Sequence, residues 1–166
     1  MNSASRGGQR RLMLIRHAQA ADPEPGVADR ERALTPHGMA QCTALREWLR
    51  ARLDGADALA LISPATRAVQ TSREILSMGF CGISRIEPLL WNASPATLLD
   101  LIDENPASLL LIGHNPGLEQ VQYALTGTLR PLPTAAAFDL DLENPRRGRL
   151  TDCFQPGSDG LRIDSR

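Results

Sequence analysis

Three short segments of this sequence carry side chains that together suit a tetrahedral anion: Arg16-His17, Ser63 with Arg67 one helical turn on, and Gly113-His114-Asn115. The planar guanidinium forks of Arg16 and Arg67 match phosphate oxygens two at a time and stay charged at any relevant pH. His17 and His114 offer imidazoles, a group that serves either as nucleophile or as donor to an oxyanion. No acidic residue stands inside these segments. The set therefore attracts an anion and repels a metal cation, and neither a metal nor a cofactor is expected.

Side chains so far apart in sequence meet only if the elements carrying them end at one place. Each segment follows an apolar run that reads as a strand: Arg11 to Arg16, Ala58 to Ile62 and Ser108 to Ile112. Helical patterns lie over Pro36 to Leu53, Pro64 to Met78, Pro95 to about Glu104 and Pro116 to Leu125, with a short strand near Gly82 to Ile86. The alternation predicts a mainly parallel sheet, in which ligands bind at the carboxyl ends of the strands. Two of the three segments also open helices, whose N-termini favour anions. Thr35-Pro36, Ser63-Pro64, Ser94-Pro95 and Asn115-Pro116 each pair a capping side chain with proline at the first helical position. Beyond Pro133, the segment Ala135 to Leu142, a turn at Asn144 to Gly148 and a run to Phe154 predict a hairpin closing one sheet edge.

The totals fit one domain. The chain has 166 residues, 42% of them hydrophobic, and a formal net charge of -1, enough for a core and too balanced to draw in nucleic acid or a membrane surface. All 18 basic residues are arginine, which removes P-loop, Schiff-base and general-base lysines. Cys42, Cys81 and Cys153 are odd in number and widely spaced, so neither a disulfide framework nor a zinc knuckle is indicated. Residues 1–10 read as a disordered lead, 11–154 as the single domain and 155–166 as a loose tail. Without an apolar leader or span, a cytoplasmic protein is expected.

Four ordered motifs then resemble a known family, the histidine phosphatases related to phosphoglycerate mutase. Leu14-Ile15-Arg16-His17-Ala18 looks like the family's Arg-His signature, Ser63-Pro64-Ala65-Thr66-Arg67 like its second arginine motif, and Gly113-His114-Asn115-Pro116 like its second histidine motif. Arg32-Ala33-Leu34-Thr35-Pro36-His37-Gly38 resembles a block of the SixA-like phosphohistidine phosphatases. The resemblance covers about residues 11–142. It implies a three-layer α/β/α sandwich, with a mixed sheet of about six strands of which one is antiparallel. It also implies that His17 attacks phosphorus and forms a phosphohistidine intermediate, while Arg16, Arg67 and His114 hold the equatorial oxygens. Neighbouring guanidiniums should lower the pKa of His17.

Larger family members carry a glutamate proton donor after the third strand. Here the candidate is Glu87, upstream of that position, so the chain suits a leaving group that needs little protonation. A phosphohistidine P–N bond is such a case, and little sequence remains for a lid. The expected substrate is a phosphorylated protein of phosphotransfer or phosphotransferase-system type. A small phosphomonoester and a phosphate-binding module without turnover are the alternatives. Arg32 is either a solvated charge or a peripheral phosphate contact. Ser63 and Asn115 are expected as caps first and as phosphate contacts second, His37 as a solvent-facing residue, and Arg146, Arg147 and Arg149 as a solvated turn.

Overall fold

In the computed structural model, residues 10–53, 57–77 and 82–157 are described. The expectations for residues 1–9, for the tail from residue 158, for Met78 and for Cys81 lie outside them.

Six strands form one sheet: β1 (Arg10–Arg16), β2 (Ala58–Ile62), β3 (Ile83–Ile86), β4 (Ser108–Gly113), β5 (Ala137–Asn144) and β6 (Arg147–Phe154), in the order β3-β2-β4-β1-β5-β6. The first four run parallel; β5 runs against β1 and β6 against β5, so β5 alone is reversed. The expected mixed, three-layer α/β/α sheet with a terminal hairpin at one edge is what forms.

Alternation along the strands sends successive side chains to opposite faces. Met13, Ile15, Ala60, Ile62, Leu110 and Ile112 face one core layer, completed by Cys42, Leu45 and Leu49 of α1 (Pro36–Leu53) and by Ala68 and Ile75 of α2 (Thr66–Leu76). Leu12, Leu14, Leu61, Leu109 and Leu111 face the other, closed by Leu98, Leu101 and Ile102 of α3 (Pro95–Glu104) and by Leu118, Val121 and Leu125 of α4 (Gly117–Thr126). Each buried leucine, isoleucine, valine or methionine among them contributes about 1.5–3 kcal/mol of transfer free energy. Because the central strands β1, β2 and β4 are buried on both sides, they read as continuous apolar runs.

Two of the four capping signals work as expected. Thr35 Oγ1 accepts from Gly38 N (2.9 Å) and Ser94 Oγ from Thr97 N (3.1 Å) at helices that begin on proline. The other two do not: α2 begins at Thr66 after an Ala65 cap position, and α4 at Gly117 after Pro116, neither with a side-chain cap bond. Ser63 and Asn115 therefore do not occupy the cap positions: Ser63 Oγ accepts from Ala65 N (3.4 Å) ahead of α2 and lies against His114, and Asn115 donates to Leu132 O and Glu119.

Candidate active site

β2, β4 and β1 are adjacent and parallel, so their carboxyl ends place Ser63, His114 and Arg16-His17 side by side. Main-chain bonds tie the ends together: His17 N donates to Gly113 O (3.1 Å) and Ser63 N to Ile112 O (2.9 Å). The reversed strand reaches the same rim from the far side, with Arg16 N donating to Ala136 O (3.1 Å) and Ala135 N to His17 O (3.0 Å).

His17 is 8% exposed. Its Nδ1 lies 2.7 Å from Ala18 O and must be the protonated nitrogen, since a carbonyl only accepts. The lone pair is thus at Nε2, where it accepts from Arg67 Nε at 3.2 Å. Burial pushes the His17 pKa down to about 3, assisted by His114, Arg67 and Arg16. The direction agrees with the expectation from sequence, but desolvation outweighs the neighbouring charges. The His114 ring stands 4.9 Å from that of His17 and is likewise held neutral, its pKa pushed to about 4 mainly by burial and next by Arg67. Its Nε2 is 2.7 Å from Ser63 Oγ, which is where the serine hydroxyl is engaged.

Arg16 donates from Nη1 to Leu132 O (3.1 Å), while its Nε is buried with no hydrogen-bond partner. A buried charged donor left in that state is costly, so it favours an acceptor at this spot. Asn115 donates to Leu132 O (2.8 Å) and to Glu119 Oε1 (2.7 Å), and Glu119 in turn accepts from Leu132 N (2.7 Å). The asparagine therefore fixes the loop that carries the Leu132 carbonyl.

Two site neighbours escaped the sequence reading. Asp29 accepts from Arg67 through its carbonyl (2.5 Å) and its carboxylate (3.0 Å), and Arg32 donates to the same carboxylate (2.8 Å) and to Ala21 O (2.6 Å). Among the described residues Arg32 thus reaches the cluster through Asp29, whose carboxyl is held below the usual carboxylate range first by Arg32 and then by Arg67. The available signal was an acid three residues before Arg32. The other is Trp91, which meets His114 edge-on (5.2 Å, 87°) and lies under the Arg67 guanidinium (5.4 Å). Its signal was an aromatic outside every periodic stripe in a chain that is 4% aromatic.

Glu87 is placed differently from a proton donor poised over the cluster: its carboxylate accepts from Leu89 N (3.2 Å), capping the turn Pro88–Leu90, and lies 3.7 Å from Arg85. His37 is exposed. Arg146, Arg147 and Arg149 pair with Asp100, Glu143 and Asp141. No helix of the described residues is long and apolar enough to cross a membrane.

A cluster of two imidazoles and two guanidiniums at the carboxyl edge of such a sheet defines an oxyanion-handling α/β protein. Residues 12–87 match the histidine phosphatase superfamily, branch 1. An uncharacterized protein of Mycobacterium tuberculosis is 37% identical over 120 residues, spanning 69% of this chain and 73% of its own. A SixA structure from Agrobacterium tumefaciens superposes with TM-score 0.79 at 28% identity, covering 89% of this chain and 98% of that one. The protein histidine phosphatase SixA complexed with tungstate superposes with TM-score 0.73 at 25% identity, covering 88% and 97%. The chain belongs to the histidine phosphatase superfamily, and its class of activity is that of a phosphatase.

Proposed function

We propose that this protein removes the phosphoryl group from phosphohistidine on another protein, of phosphotransfer or phosphotransferase-system type, through a phosphohistidine intermediate on His17. The observation that carries this reading is the His17 tautomer: Nδ1 is committed to Ala18 O and the Nε2 lone pair faces the guanidinium cluster. Nε2 attacks phosphorus in line, the substrate P–N bond breaks, and its electron pair returns to the substrate nitrogen. A solvent proton at the distal ring nitrogen lets that ring depart as neutral imidazole. Phospho-His17 already holds its own proton at Nδ1, so when water attacks phosphorus His17 also leaves as neutral imidazole.

In this mechanism Arg16, Arg67 and His114 hold the equatorial oxygens, and the unpartnered Arg16 Nε gains an acceptor. Ser63 orients His114, Arg32 acts through Asp29, and Asn115 fixes the Leu132 loop. The donor set is wrong for a divalent cation, which supports metal independence. Only residues 63–65 separate β2 from α2, and residues 114–116 separate β4 from α4, so neither of these two connections is long enough to form a lid. Residues 11–154 are proposed to form the single catalytic domain, in the cytoplasm.

Labelled phosphohistidine protein, mixed with the enzyme in chelator and quenched in base, should leave a labelled enzyme that is absent in His17→Ala. Turnover in that variant should fall at least about a thousandfold. Absence of any adduct in the native protein overturns the mechanism and leaves a phosphate-binding module. Faster turnover of a sugar phosphate than of phosphohistidine overturns the substrate.

A further inference from the structure

We propose that Trp91 determines specificity for the leaving group by stacking a planar ring, here imidazole, on the side of the phosphoryl group away from His17. This rests on the proposed chemistry at His17. In-line transfer puts nucleophile and leaving atom on opposite sides of phosphorus, with the groups that hold its oxygens between them. Trp91 touches two of those holders, His114 at 5.2 Å and Arg67 at 5.4 Å. Both holders also touch His17, through a 4.9 Å ring contact and a 3.2 Å hydrogen bond. Among the described residues Trp91 makes no ring contact with His17 itself. The order nucleophile, holders, tryptophan is the one expected of a ring on the leaving side.

The local chain fixes this placement. Glu87 N donates to Ile62 O (2.8 Å), anchoring the segment at the end of β2, and the Glu87 carboxylate caps the following turn. Trp91 N closes that turn on Pro88 O (3.2 Å), and Asn92 follows at φ 52°, a left-handed conformation that asparagine tolerates better than most residues. Ala93 O sits 2.6 Å from where a Cβ on Gly117 would stand, so the segment is seated directly on the start of α4, three residues after His114. The acid expected to donate a proton instead carries the tryptophan. Trp91 is only partly buried. Trp48, by contrast, is committed to Arg52 and Phe154. A planar imidazole offered to such a face gains a ring–ring contact that an alkylamine cannot make.

Two phosphoramidate peptides test this, one bearing phosphohistidine and one phospholysine, with native protein, Trp91→Leu and Trp91→Phe. The native preference in kcat/KM for the ring-bearing substrate should narrow about five- to tenfold in Trp91→Leu and return in Trp91→Phe. Product inhibition by imidazole gives a second readout, its Ki rising by the same factor in Trp91→Leu and recovering in Trp91→Phe. A preference and a Ki that are unchanged in Trp91→Leu, or a loss that Phe does not rescue, overturn the proposal. Failure of the underlying reading looks different: native protein would then turn over no phosphohistidine at all.

Discussion

At the scale of single residues, the His17 environment makes charging its ring expensive. Its pKa of about 3 and that of His114 near 4 lie below the value of about 6.5 expected in an unfolded chain. Between those limits the unfolded chain binds more protons than the folded one, so stability is full at neutral pH and is lost as pH falls below about 6.5. For His17 the loss amounts to about 2 kcal/mol by pH 5. Urea midpoints at pH 7 and pH 5 should therefore move further apart in the native protein than in His17→Gln. Parallel midpoints would mean that the ring is as easily charged in the fold as out of it.

At the scale of elements, the segment bearing Trp91 and the helix after His114 are coupled by one close approach. A Cβ on Gly117 would stand 2.6 Å from Ala93 O and 3.3 Å from Leu98 Cδ1. Gly117→Ala should destabilise by about 1–3 kcal/mol, because backbone and not a flexible side chain is in the way. It should also change the near-ultraviolet circular dichroism of Trp91; an unaltered spectrum would uncouple the two segments. Elements were legible where local and tertiary demands agree: α1 and α3 begin on the prolines that follow Thr35 and Ser94. They were misread at Ser63 and Asn115, whose side chains serve His114 and Leu132 O and are lost to the caps. Local pattern could place the four cationic and imidazole side chains because each ends a strand or opens a helix. It could not place Asp29 or Trp91, which reach the cluster from loops whose paths depend on long-range contacts.

At the scale of the whole molecule, arginine does two kinds of work at opposite ends of the sheet. Arg16 and Arg67 belong to the proposed anion site, whereas Arg11 pairs with Asp139, which is 4% exposed, and Arg52 with Asp152. Five residues of strand, about 16 Å, separate Arg11 from Arg16. Asp139→Ala leaves Arg11 without its main partner and should lower stability by about 2–4 kcal/mol. KM should stay at the native value in steady-state assays, and a large KM change would show that the two ends communicate. The reversed strand β5 bears on how the molecule comes into being. All four side chains of the proposed chemistry are made by residue 114, yet the amides and carbonyls at 132–136 that pin Arg16 and His17 emerge later. A nascent polypeptide is therefore expected to gain the proposed activity only after residues 132–136 have been made and have docked. A chain ended after residue 114 should carry all four side chains and show no turnover in a phosphohistidine assay.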